Sequence, residues 1–294
     1  MSARIDAHCH FWRLSRGDYG WLQSGDPALA SIRRDFAPAD LRPLSAAAGI
    51  EHVVLVQAAP SDAETDFMLA LAADNAEIAG VVGWVDLALP EVAGRLETLA
   101  RNPTLKSIRP MLQDIADPDW LLTAPDIGAL DVLDRLGLRF DALVLPVHLD
   151  RLLRFAERRP GLPIIIDHAA KPALGAAADD PRHALWEEGM ERLARETDTV
   201  CKLSGLLTEM RPDQRQSEAA ALAVLRPVVD NLLGWFGPQR LIWGSDWPVL
   251  TLAAPHAAWI RITDALLESL SLDERAAILG DNAVTFYGLG EAAG

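Results

Sequence analysis

Eight short apolar runs, each followed by a stretch with helical periodicity, constrain this chain more than any other feature. They are Arg4–Cys9, His52–Ala58, Ala79–Asp86, Leu105–Arg109, Leu138–Leu145, Pro163–Asp167, Thr199–Leu203 and Arg240–Ser245. Val53-Val54-Leu55-Val56 and Ile164-Ile165-Ile166 are apolar at consecutive positions, the pattern of strands buried on both faces. Parallel strands need crossover connections, and the segments between these runs carry helix signals. Ser61 and Glu64 form a capping-box pattern ahead of Phe67 and Leu71, and Pro90 precedes Val92, Leu96 and Leu99. Ile127, Leu130 and Leu133 run to a stop at Gly137, and Leu149, Leu152, Leu153 and Ala156 run towards Pro160. Eight βα units in succession predict a (β/α)8 TIM-type barrel, with residues 1–294 forming one domain.

The rival architecture for such alternation is an open doubly wound sheet, which usually carries a glycine-rich phosphate turn after its first strand. Here the first strand ends in Asp6-Ala7-His8-Cys9-His10, and no GxGxxG, Walker A or GxSxG pattern occurs. With 27 Lys and Arg against 42 Asp and Glu, the formal charge is −15. That field repels nucleic acid and anionic membranes, so neither is expected as a partner. The chain reaches its first strand by Ile5 with no basic and apolar leader pattern, and Cys9 and Cys201 belong to no CxxC pair. A cytoplasmic protein without a membrane span is expected.

Residues beyond the C-terminal ends of barrel strands build the working face of such folds. The long stretches there are Arg13–Arg34, Leu112–Pro125 and Ala170–His183, which predict lid and pocket. Alternate residues of a strand share a face, so His8 and His10 at the end of strand one can grip one ion. Two histidines at i and i+2 are compatible with a purely structural role. The same mouth, however, receives His168 after strand six and Asp246 after strand eight. Burying three imidazoles and a carboxylate together is costly unless they bind something.

The segments DAHCHFW, VVGWVDL, DPDWLL, IDHAAKP, CKLSGL and GSDWPV occur in one order over nearly the whole chain. In that order and spacing the sequence resembles the sugar-lactone branch of the amidohydrolase superfamily. That group contains L-fuconolactonases, L-rhamnonolactonases and, more distantly, pyrone-dicarboxylate and sulfomuconolactone hydrolases. The resemblance implies a distorted (β/α)8 barrel and a small-molecule lactone substrate. It assigns His8 and His10 to the first-strand pair, His168 to the sixth-strand histidine, Asp246 to the general base and Arg109 to a substrate contact. Pro110 stands where relatives often have histidine, and Pro146-Val147-His148-Leu149 shifts by one position an imidazole that relatives carry beside the proline.

Opening a lactone needs an activated water, a polarised carbonyl and a proton for the departing alkoxide. Asp246 is the expected base, with His168 beside it. Polarisation has two open sources, one divalent metal such as Zn²⁺ held by His8, His10 and His168 or Asp246, or protein groups alone. Trp12, Trp84, Trp247, Gln57, His148 and Lys171 are further candidate substrate contacts at or beyond strand ends. Lys202, in strand seven, must reach the barrel interior or extend out between helices. The alternative activities are hydrolysis of an aromatic-derived lactone and decarboxylation. A barrel that only binds a metabolite is a third reading, less favoured because the base and the histidine pair are both present.

Overall fold

The computed structural model describes residues 4–290. Eight parallel strands pair in sequence order: β1 (Arg4–Cys9), β2 (Ile50–Val56), β3 (Ile78–Gly83), β4 (Leu105–Ile108), β5 (Arg139–Ala142), β6 (Ile164–Ile166), β7 (Val200–Leu203) and β8 (Leu241–Trp243). All eight coincide with the apolar runs. Several are shorter than the runs at their C-terminal ends, because Gln57, Ala58, Leu143 to Leu145, Gly244 and Ser245 leave the ladder to form the barrel mouth.

Seven seams are parallel ladders, those from β1 to β4 with register shifts, whereas the eighth closes beyond the end of β8. The His10 N–H donates to the Trp247 carbonyl at 2.7 Å and the Asp246 N–H to the His8 carbonyl at 2.7 Å. Fully buried Asp6 ties the same seam, accepting from the Ser245 N–H at 2.7 Å and from the Ser245 hydroxyl. Gly244 is required there, since a Cβ would lie 2.7 Å from the His8 Cβ. This displaced closure is the distortion of the barrel, and it brings the residues around His8 and Asp246 together.

The helices are α1 (Pro38–Ala48), α2 (Asp62–Asp74), α3 (Val92–Leu99), α4 (Trp120–Thr123), α5 (Ile127–Leu136), α6 (Leu149–Arg158), α7 (Pro181–Glu196), α8 (Glu218–Phe236), α9 (His256–Leu266), α10 (Leu272–Ala276) and α11 (Asn282–Tyr287). Gly137 ends α5 with φ 65°, as its position predicts. At α2 the expected capping box is half made. Ser61 accepts from the Glu64 N–H at 3.1 Å, but the Glu64 carboxylate turns inward to the Ala58 N–H at 3.0 Å and the Tyr19 hydroxyl at 2.6 Å. Helix α8 is long and apolar enough to cross a membrane. Ala221, Leu225, Val229, Leu232 and Phe236 form a buried stripe along it, the mark of a barrel helix.

Strand alternation sorts the apolar residues into two layers. Val53, Leu55, Ile164, Ile166 and Leu203 pack outward against the helices. Ile5, Val54, Val56, Ile165 and Ile242 fill the interior floor, where α11 inserts Tyr287. The Arg13–Arg34 segment is no detached lid: Tyr19, Leu22 and Ile32 are fully buried, so it packs as one wall of the mouth.

Candidate active site

The two first-strand histidines reach the mouth in different settings. His10 Nδ1 lies 2.7 Å from the Val56 carbonyl, which can only accept, so Nδ1 carries the proton and Nε2 presents its lone pair. That nitrogen lies 3.2 Å from Asp246 Oδ1, an oxygen that also lies 3.8 Å from His8 Nε2 and 3.9 Å from His168 Nε2. Three imidazole nitrogens thus surround one carboxylate oxygen.

His168 gets there through a backbone conformation that sequence patterns do not announce. His168, Ala169, Ala170 and Lys171 all have positive φ, at 52°, 49°, 57° and 51°, and Asp246 has φ 58°. Each such non-glycine residue costs about 1–2 kcal/mol. The left-handed turn aims the His168 ring into the mouth, with Nδ1 2.9 Å from the Ser204 hydroxyl. Gly205 leaves the room, because a Cβ there would lie 2.4 Å from His168 Nδ1.

Beneath this group lies a buried ionic layer. Lys202 reaches the interior, its ammonium 2.6 Å from Asp141 Oδ2, 2.9 Å from Asp167 Oδ1 and 3.1 Å from His8 Nδ1. Arg109 donates to Asp167 Oδ2 at 3.0 Å and to the Gln57 carbonyl. Asp141 also accepts from the Tyr287 hydroxyl at 2.8 Å and from Ser107. Two cations therefore face two carboxylates, whereas Asp246 above them has only imidazoles.

Burial drives the His8 pKa well below its ordinary value, and the Lys202 charge lowers it further. Burial likewise brings His168 down to about 4, against the opposing pull of Asp246. For Asp246, burial pushes the carboxyl up, but the neighbouring His168 and His8 pull it down, and the group stays below the usual carboxylate range. Near neutrality the site has an ionised carboxylate beside neutral His8 and His168. These are the protonation states that bind a cation.

The residues fit a divalent ion. Ligand atoms of His8, His10 and Asp246 lie within 4.8 Å of one another, as do those of His8, Asp167 and His168. His8 Nδ1 stands between Lys202 and Asp167 Oδ1, the latter at 3.5 Å. Donating to Asp167 frees Nε2 for an ion, and accepting from Lys202 does not.

A cleft of about 210 Å³ opens above, lined by His10, His168, Asp246, Arg109 and Lys171, with Trp21, Met111 and Leu143 among its apolar walls. The other expected substrate contacts stand elsewhere. Trp12 is 1% exposed, its indole N–H on the Arg34 carbonyl, and Trp247 packs on Phe11 and Phe36. Gln57 is fully buried, donates to the Arg109 carbonyl at 2.8 Å and so positions that arginine. His148 Nδ1 accepts from the Leu145 N–H at 3.0 Å, closing the turn into α6. Trp84 lines a neighbouring cavity. Sequence reasoning missed Asp141, Asp167, Ser204 and Trp21. The signal for the aspartates was Lys202 itself, since a lysine inside a barrel requires buried anions.

An amidohydrolase family model matches residues 5–289. The chain is 41% identical to an L-fucono-1,5-lactonase of Burkholderia ambifaria, covering 100% of this chain and 98% of that protein. It is 39% identical to an L-fucono-1,5-lactonase of Burkholderia multivorans, over 99% and 97% of the two. A crystal structure of an amidohydrolase from Burkholderia multivorans with bound zinc superposes with a TM-score of 0.89, at 36% identity, covering 98% of this chain and 100% of that one.

Proposed function

From the premise that this chain belongs to the amidohydrolase family, matched over residues 5–289, we propose that it hydrolyses a neutral sugar-acid lactone of the L-fucono-1,5-lactone type. The observation that carries the reading is Asp246, a buried ionised carboxylate whose Oδ1 lies 3.2 Å from His10 Nε2 at the floor of a one-ring cleft. Full-length likeness to two L-fucono-1,5-lactonases supports the substrate class. At about 210 Å³ the cleft is smaller than the ~300–1,000 Å³ of drug-sized sites.

In this reading the Asp246 carboxylate accepts a proton from water as the water oxygen bonds to the lactone carbonyl carbon. Arg109, at the cleft floor, faces the negative charge that develops on the carbonyl oxygen. The ring C–O bond then breaks, Asp246 returns the proton to the departing ring oxygen, and the product is the open hydroxy acid, which ionises. His168 stands beside Asp246, Nε2 3.9 Å from Oδ1, and is itself held by Ser204. A divalent ion held by His8, His10 and Asp246, with His168 alongside, would add Lewis-acid polarisation of the carbonyl. We propose one such ion, zinc, in keeping with the zinc bound in the related structure. We place the enzyme in the cytoplasm, where the free, buried Cys9 and Cys201 suit a reducing compartment.

The aromatic-derived lactones fit less well. Such substrates carry extra carboxylates, and beyond Arg109, which this reading uses at the carbonyl oxygen, the cleft lining offers Lys171, already paired with Glu209 at 3.7 Å. The test is a pH-indicator assay of L-fucono-1,5-lactone, L-rhamnonolactone and a pyrone dicarboxylate, with native and chelator-treated protein. Fast opening of the sugar lactones, slowed by chelation, is expected. Preference for the pyrone dicarboxylate would transfer the activity to the aromatic class.

A further inference from the structure

Beside the catalytic cleft lies a second, larger cavity of about 500 Å³ that the reaction outlined above does not use. Trp21, Met111 and Asp114 line both, so the two adjoin. Its other walls are Trp84, just beyond β3, and Trp120, at the start of α4, with Pro60 at its edge. Loops from β1, β2, β3 and β4 therefore converge on it.

Three properties define its occupant. First, Trp21, Trp84 and Trp120 form its sides, and all three are partly exposed. Aromatic planes of this kind bind the apolar C–H faces of sugar rings. Second, the Trp21 indole N–H is spent on the Ala58 carbonyl at 2.8 Å. Trp84 and Trp120 are partly exposed and neither indole nitrogen is buried without a partner, so both can meet hydroxyl groups. Third, the charged residues that line the cavity are Asp18, Asp86 and Asp114, with no lysine or arginine among the described lining residues; Asp18 is paired with Arg16 and accepts from Ser61, which leaves Asp86 and Asp114 without a cation partner among the described residues. An anionic group is repelled, and carboxylates are good acceptors for sugar hydroxyls.

We propose that this annex binds a second, neutral sugar ring, so that the enzyme takes glycosylated aldonolactones, the lactone ring over Asp246 and the glycosyl group between Trp84 and Trp120. The inference rests on the lactonase reading for its chemistry but on the annex alone for its ligand. No new bond-breaking step is involved, since the ester opens as before and the glycosidic bond stays intact.

The test compares kcat/KM for a one-ring aldonolactone and a disaccharide aldonolactone in wild-type protein, Trp120→Ala and Trp84→Phe. The ratio of the two values is independent of the fraction of protein that folds. Wild type should favour the two-ring lactone about tenfold through KM, equivalent to about 1.4 kcal/mol. Trp120→Ala should bring the ratio close to one, with Trp84→Phe between. Turnover of the one-ring lactone without preference for the larger one, or a preference that survives Trp120→Ala, overturns the annex and leaves the lactonase reading standing. If neither lactone is opened, the lactonase reading falls. The annex is then decided by titrating a methyl glycoside against tryptophan fluorescence, where a response lost in Trp120→Ala supports it and no response overturns it.

Discussion

Two layers of buried polar groups lie one above the other inside this barrel, and they are built on opposite principles. In the lower one Lys202 and Arg109 meet Asp141 and Asp167, with the ammonium 2.6 Å from Asp141 Oδ2 and 2.9 Å from Asp167 Oδ1. In the upper one Asp246 is ringed by imidazoles, the closest at 3.2 Å. In the lower layer each cation has a carboxylate partner, whereas the upper gathers a carboxylate and imidazole nitrogens at one point with no cation among them. Burial of a polar group is thus no guide to function until its partners are counted.

The contrast can be broken in several ways. The largest effect is expected in the lower layer: Lys202→Met leaves Asp141 and Asp167 without their shared cation. Removing one member of a buried pair costs roughly 3–5 kcal/mol, which chemical denaturation would show as a lowered midpoint. An unchanged midpoint would mean that this layer does not hold the barrel together. Next comes Gly205→Ala, which sets a methyl group against His168 Nδ1 and puts alanine at φ 66°. Misplacing a catalytic ring by an ångström costs on the order of 10²-fold, so kcat for a sugar lactone should fall by that factor. Ser204→Ala should fall less, since it removes one hydrogen bond and no space.

A smaller effect sharpens the comparison from outside both layers. Burial raises the Glu64 pKa to about 7, and its bonds to Tyr19 and Ala58 only partly offset that shift. The unfolded chain loses this proton near pH 4.5 while the folded protein keeps it, so the contribution of Glu64 is full below that pH and disappears as pH rises through about 7. Unfolding free energy should drop by up to ~1.4 kcal/mol per pH unit across that window. Glu64→Gln should flatten the slope, and a slope unchanged in that variant would assign it to other groups.

Much of the upper layer was legible in the sequence and little of the lower. The paired periodicity of strands and helices gave the barrel. His8, His10, His168 and Asp246 could be placed at one mouth because all four follow strand ends. The lower layer joins residues far apart in the chain, Tyr287 to Asp141 and Lys202 to His8, and no local pattern encodes such pairings. The left-handed turn from His168 to Lys171 contains no glycine, so the usual signal for positive φ is missing. The tryptophans divided for a similar reason. Strand-end position alone could not distinguish Trp12 and Trp247, which pack against Phe36, from Trp84, which lines a cavity.

The most direct test of the account is the rate at which Asp246→Asn opens L-fucono-1,5-lactone, measured on protein whose melting temperature matches wild type. Loss of a positioned general base predicts a fall in kcat of roughly 10²–10⁴-fold, with stability retained because the lower layer is untouched. Turnover at the wild-type rate in that folded variant would contradict the account and remove Asp246 from the chemistry.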